Sequence, residues 1–104
     1  MSIDGLDDAT KNKIIGLLLV LFPDVKIYLY GSGARGTHRD RSDIDIALDA
    51  GENHPKLALG EAKSILEGTY IPYRIDLVDL NFVSEPFRET IKKDIVLWYP
   101  KKID

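Results

Sequence analysis

The chain has 104 residues, 44% of them hydrophobic and 30% charged, which is the size and composition of one folded domain and not of a disordered or membrane-embedded chain. Its 14 basic and 17 acidic residues give a formal net charge of −3, whereas proteins that grip nucleic acid by its phosphates normally carry the opposite balance, so direct nucleic-acid binding is not expected. The sequence has no cysteine, which excludes disulfides, zinc–thiolate sites and a cysteine nucleophile. Because no secretory signal or membrane span is recognised, we expect a cytoplasmic protein.

The first predicted elements are a helix and a strand. Residues 7–22 carry acidic side chains where a helix begins, and Pro23 ends the helix. Residues 25–30 (VKIYLY) are rich in β-branched and aromatic side chains, which favours a strand. A polar, glycine-bearing connection follows over residues 31–41.

The rest of the chain alternates between strands and helices. Pro55 stands at an allowed first-turn position of a helix that Gly68 ends, and Ser84 is the expected N-cap of another. We predict strands at residues 43–48, 73–78 and 95–99, a turn at 49–54, and helices at 55–67 and 84–93. The order α-β-β-α-β-α(-β) predicts an α/β (α+β) fold: a small mixed β-sheet with helices packed on it, forming a single domain over residues 1–104.

Three carboxylates could carry chemistry. Asp43 and Asp45 lie two apart in the predicted strand DIDIAL, so they project from one face while the apolar residues face the core. Such a pair suits a hard divalent cation, although a solvated strand face explains it about equally well. Asp76 lies between apolar residues of the next predicted strand. If that strand neighbours DIDIAL, Asp76 can join the pair in a two-metal site, unless it pairs with Arg74 or has a turn role. Asp79 is a weaker candidate, since a turn role suits a strand end.

A glycine turn precedes these carboxylates. Gly31 and Ser32 directly follow the first strand, and this turn and Arg35 can contact phosphate oxygens. Residues 31–36 (GSGARG) also match the dinucleotide fingerprint. That interpretation is disfavoured, because residues 37–42 leave too little room for the helix that must follow.

Together these segments read YGSGARGTHRDRSDIDIALD and, further on, YRIDLVD. The pattern resembles the nucleotidyltransferase superfamily typified by DNA polymerase beta. Its signature is an apolar residue, Gly-Ser, a gap that is here residues 33–42, Asp-x-Asp, and a later Asp between apolar residues. Within the superfamily the chain is similar to minimal nucleotidyltransferases (MNT), which often pair as antitoxins with helical HEPN-domain toxins. The signature positions hold Tyr30, Gly31, Ser32, Asp43, Asp45 and Asp76.

The resemblance implies a metal-dependent transfer of AMP from ATP to a hydroxyl group, with a tyrosine of a HEPN-type toxin as acceptor and this chain as antitoxin. Mg²⁺ at a two-metal site is the implied cofactor. The implied catalytic residues and metal ligands are Asp43, Asp45 and Asp76, and the implied nucleotide-binding residues are Gly31, Ser32 and Arg35. Gly33 departs from the many relatives that carry arginine or another bulky residue there, which removes a possible phosphate contact.

Two other functions fit the same residues. The chain could act as a homodimer on a small molecule such as an aminoglycoside, or it could be a binding module without catalysis. We favour a protein acceptor, because the predicted sheet uses nearly the whole chain and leaves no second domain to hold a substrate.

Between Ile14 and Phe22 the first helix is apolar almost all round, interrupted only by Gly16. One stripe suffices to cover a sheet, so we expect a second stripe (Ile15, Leu19 and Phe22) to contact another protein. The alternative is that the C-terminal segment, with Val96, Trp98 and Tyr99, folds over this second stripe.

Overall fold

The computed structural model describes residues 8–31, 44–51, 53–69, 71 and 73–100. Its helices are α1 (Asp8–Leu21), α2 (Leu59–Glu67) and α3 (Glu85–Lys92), and its strands are β1 (Lys26–Tyr30), β2 (Ile44–Asp49), β3 (Ile75–Asp79) and β4 (Val96–Tyr99). The predicted order of elements is confirmed. Each helix within these ranges is too short or too polar to cross a lipid bilayer.

The strands form one mixed sheet in the order β3-β2-β1-β4. β1 runs antiparallel to both β2 and β4, whereas β2 and β3 are parallel. A parallel pair needs a crossover connection, and α2 lies in the one between β2 and β3. This crossover brings the start of β3 beside the start of β2, where Asp45 pairs with Asp76 and the candidate site lies.

The two faces of the sheet pack against different helices. On one face, alternate residues of the strands meet α1 and α2 in the main core, which includes Ile14, Leu18, Ile46 and Leu66. On the other face, Ala47 packs with Ile91 of α3 in a smaller cluster. The sheet therefore packs against helices on both sides, and Asp45 and Asp76 lie on the second face, near the start of their strands.

Helix α2 begins later than the sequence predicts. Residues 55–58 precede the helix, because the backbone N–H of Leu57 is held by Oδ2 of Asp79 at 3.0 Å, a contact between segments far apart in sequence. The helix does end before Gly68, but that residue has a φ of −78° and not the left-handed conformation that makes glycine a preferred stop. By contrast, the Ser84 cap of α3 is confirmed, with Oγ accepting from the N–H of Phe87 at 3.4 Å.

The second stripe of α1 packs largely within the chain. Its residues, Ile15, Leu19 and Phe22, are partly buried against the main core. Ile15 also borders a groove of about 450 Å³ with Trp98 and Tyr99, which favours the alternative that the C-terminal segment lies beside the stripe. The most open apolar side chain of the helix is Val20, 80% exposed. A protein contact through α1 stays a prediction.

Candidate active site

Asp45 of β2 and Asp76 of β3 lie directly opposite each other on adjacent parallel strands. Neighbouring strands are about 4.8 Å apart, and opposite residues point to the same face. Both side chains are half-buried. Two of the three predicted carboxylates therefore converge, as the sequence predicted if the two strands were neighbours.

Tyr30 extends this row onto a third strand. It pairs with Asp45 across the antiparallel β1–β2 ladder, so the row Tyr30–Asp45–Asp76 crosses three adjacent strands on one face. Burial, followed by the charges of Asp45 and Asp76, raises the pKa of Tyr30 to about 12. Burial is the larger cause, and the two carboxylates add a negative potential that further disfavours the charged tyrosinate.

Gly31 follows Tyr30 and comes very close to Asp45. Its φ is +74°, a backbone conformation that residues other than glycine rarely adopt. A Cβ atom at this position would lie only 2.7 Å from Oδ2 of Asp45. Gly31 was predicted as a nucleotide-binding residue. In the structure its lack of a side chain allows β1 to end in close contact with the carboxylate of Asp45.

Lys63 supplies a positive charge to the site from outside the sheet. Its Nζ lies 3.5 Å from Oδ1 of Asp76, and the two side chains are 43% and 44% exposed. Lys63 belongs to α2, and it lines a small cavity with Tyr73 and Ile75 at the start of β3. Arg74 was a possible ion-pair partner of Asp76 from the sequence, and the ion pair in the structure is with Lys63.

Asp79 is held by structural hydrogen bonds. It is only 4% exposed, and its carboxylate accepts from the N–H groups of Leu57 at 3.0 Å and Asn81 at 3.1 Å. The Asn81 side chain in turn donates to Asp49 at 2.9 Å. The expected turn role of Asp79 is confirmed, because its contact with Asn81 closes the turn after β3.

The remaining predicted site residues, Asp43, Ser32 and Arg35, lie outside the described residues, as does Gly33. Within the described ranges, no three His, Asp or Glu side chains come together as a metal-binding group. What is described fits a hard divalent cation nonetheless. Asp45 and Asp76 offer carboxylate oxygens, which are the ligands that such a cation prefers. A bound cation would also offset the repulsion between their two negative charges.

Two features of the site were not predicted from the sequence. Lys63 carries no local signal, since one lysine on a polar helix face is usually a solvated charge. Tyr30 was read only as the apolar residue of the signature, although its position before Gly31, opposite the strand of Asp45, could have placed its hydroxyl near the carboxylates.

The chain matches the family described as polymerase beta nucleotidyltransferase over residues 12–103. A probable protein adenylyltransferase MntA of Haemophilus influenzae is 34% identical over 86 residues, which are 83% of this chain and 75% of the relative. A protein adenylyltransferase MntA of Shewanella oneidensis is 33% identical over 101 residues, which are 95% of this chain and 72% of the relative.

A solved structure is similar in both sequence and fold. It is a complex of the tri-AMPylated Shewanella oneidensis HEPN toxin with an MNT antitoxin. The TM-score is 0.67 and the identity 29%, over 88% of this chain and 71% of the matched chain.

Proposed function

We propose that this chain, a member of the polymerase beta nucleotidyltransferase family, is a protein adenylyltransferase that moves AMP from ATP to a tyrosine hydroxyl of a HEPN-domain toxin and so acts as its antitoxin. The observation that carries the proposal is the matched register of Asp45 and Asp76 beside Gly31. The relatives named protein adenylyltransferase MntA, and the complex with an AMPylated HEPN toxin, support the acceptor class.

The reaction joins the acceptor oxygen to the α-phosphorus of ATP, breaks the bond to pyrophosphate and releases the hydroxyl proton. Transfer of this kind depends mainly on positioning and on stabilising charge. Asp76 would lie on the acceptor side, where it orients the hydroxyl and receives its proton. Gly31 and Ser32 would hold the departing pyrophosphate through backbone N–H and hydroxyl donors, and Arg35 would contact phosphate oxygens.

A divalent cation fits the same residues. Asp43, Asp45 and Asp76 would be the ligands of a two-metal Mg²⁺ site, since magnesium in nucleotide sites typically binds one or two carboxylates together with substrate phosphates. When bound, the metal would neutralise phosphate charge and polarise the bond that breaks. The protein's own part is to hold Asp45 and Asp76 on one face by strand register and to keep space beside Asp45 by having glycine at position 31.

We expect the acceptor to come from another chain. The described helices pack on the sheet to form its two cores, whereas the side chain of Asp76 stays 44% exposed. A HEPN-domain partner that presents its tyrosine at this end would complete the site.

The test combines the purified chain, labelled ATP, Mg²⁺ and the protein encoded by the neighbouring gene, with an aminoglycoside mixture in a parallel reaction. Label on the neighbouring protein is the expected result. Label on the aminoglycoside instead would indicate a small-molecule transferase, and no label on either would indicate a binding module. A reaction with the Asp45→Asn variant controls for a contaminating transferase.

A further inference from the structure

We propose that Lys63 is a positioning residue that holds Asp76 in the nucleotide-free protein and competes with the metal for this carboxylate. The inference rests on the proposed function, because it assigns Asp76 to the metal and acceptor site. It concerns a residue on α2, outside the sequence signature and outside the sheet.

The geometry of the ion pair carries the inference. Nζ of Lys63 lies 3.5 Å from Oδ1 of Asp76, so the ammonium group occupies space beside one of the oxygens that a metal would use. An ammonium and a divalent cation cannot both lie against the same oxygen without strong repulsion. Metal binding at Oδ1 of Asp76 therefore requires Lys63 to move away.

The charges around the pair explain why a lysine is useful there. Asp45 and Asp76 are opposite each other on adjacent strands, an arrangement that destabilises a sheet when both are charged. Both charges also add to the effect of burial in raising the pKa of Tyr30, so the two carboxylates contribute negative potential at this face. Lys63 offsets part of it and keeps Asp76 in place until a cation arrives.

The position of Lys63 on α2 allows it to leave. Its side chain is 43% exposed, so the ion pair is of the weak, solvent-screened kind. Glu67 lies one turn further along α2 and lines the same small cavity. A lysine and a glutamate four residues apart on a helix can pair, so Glu67 can receive the ammonium group when Asp76 binds metal.

Direct Mn²⁺ binding without nucleotide tests the inference, with free Mn²⁺ measured by electron paramagnetic resonance. We expect Lys63→Met to bind Mn²⁺ about two- to fivefold more tightly than the unaltered protein, the range that loss of an exposed ion pair allows. Lys63→Arg, which keeps the charge, should stay near the unaltered protein. The matched control is Lys92→Met, which removes the same charge from an exposed ion pair with Glu89 on α3 and should change nothing.

A double-mutant cycle shows whether Lys63 acts through Asp76. In the Asp76→Asn background, Lys63→Met should have no further effect on Mn²⁺ affinity, whereas a merely structural lysine would give the same change in both backgrounds. Thermal unfolding of each variant confirms that it folds, which is expected because the lysine side chain is 43% exposed and methionine is a good helix former.

The outcomes separate the inference from the function on which it rests. If Asp76→Asn weakens Mn²⁺ binding but Lys63→Met leaves it unchanged or weaker, the role of Lys63 is overturned and the proposed metal site stands. If the unaltered protein binds no Mn²⁺, and Asp45→Asn and Asp76→Asn behave identically to it, the metal site itself is overturned and the role of Lys63 with it.

Discussion

Asp45 and Asp76 face each other across the only parallel pair of strands in the described sheet. Each is flanked in its own strand by residues of the opposite, core-forming face. The two carboxylates thus keep their spacing as long as the core keeps the strands in register, because a slip of one residue would turn both faces over. The hydrophobic core fixes the geometry of the candidate site.

Asp45→Asn should abolish AMP transfer while leaving the fold intact. The change removes a metal-ligating charge but keeps the shape of the side chain. The variant should therefore stay folded, and relief of the repulsion with Asp76 should change the free energy of unfolding by no more than about 1 kcal/mol. Transfer assays and thermal unfolding measure the two effects. Asp24→Asn, at an exposed turn, is the matched control and should transfer normally. We expect the same loss from Asp43→Asn, and full activity in both Asp43→Asn and Asp45→Asn would contradict the assignment.

Asp76→Asn should lower turnover more than ATP binding, because its proposed role is on the acceptor side. Steady-state kinetics together with direct measurement of ATP affinity separates the two quantities. A variant with weakened ATP binding and unchanged turnover would show that Asp76 serves the nucleotide and not the acceptor.

Gly31→Ala should impair both stability and transfer. At a φ of +74°, alanine costs roughly 1–2 kcal/mol, and its Cβ would push against Oδ2 of Asp45. Gly51→Ala is a close control, since Gly51 has a φ of +96° and nothing within 4 Å of an added Cβ. Chemical denaturation should show a similar loss of stability in both variants. Only Gly31→Ala should lose more AMP transfer than its fraction of unfolded protein explains. Equal activity in the two variants would mean that the approach to Asp45 is not important for catalysis.

Asp79→Asn should act on folding and not on the chemistry. The buried carboxylate accepts from the N–H groups of Leu57 and Asn81, and an amide can offer an oxygen to only one of them. The unsatisfied group should lower the free energy of unfolding by about 1–3 kcal/mol. Under conditions where the variant is folded, its turnover should stay within about twofold of the unaltered protein. A larger loss of turnover than that of Asp76→Asn would mean that Asp79 is the acceptor-side carboxylate.

Tyr30 should make the free energy of unfolding fall as the pH rises into the alkaline range. Folding raises the pKa of Tyr30 from 10.0 to about 12. Its contribution to the free energy of unfolding is therefore fully present below pH 10, where folded and unfolded chains both keep the proton. As the pH rises from about 10 to 12, the unfolded chain releases its proton first and stability falls. Denaturation of the metal-free protein across this range should show a steeper loss than the Tyr30→Phe variant shows. Identical pH profiles would mean that the pKa of Tyr30 is not raised.

Much of the fold could be predicted from local patterns. Alternation of polar and apolar residues in DIDIAL placed Asp45 on the face opposite the core, and this face is the one it occupies. The cap at Ser84 was predicted because it depends only on residues within one turn. In each case a short stretch of sequence contains the whole physical cause.

The parts that could not be predicted depend on contacts between distant segments. The late start of α2 follows from the bond between Leu57 and Asp79, and the ion pair of Lys63 with Asp76 follows from how α2 packs beside β3. Neither pairing has a signal within its own segment. The second stripe of α1 was also ambiguous, because a sequence pattern shows that a face is apolar but not which surface covers it.

The intact mass of a HEPN-domain protein encoded beside this chain tests the central claim most directly. The partner is incubated with saturating ATP and Mg²⁺ and either the unaltered chain or the Asp45→Asn variant, and is then examined by mass spectrometry with peptide mapping. We predict that the unaltered chain adds the mass of AMP at a tyrosine and that Asp45→Asn adds none. A partner that gains no AMP from the unaltered chain, or gains as much from Asp45→Asn, would contradict the account.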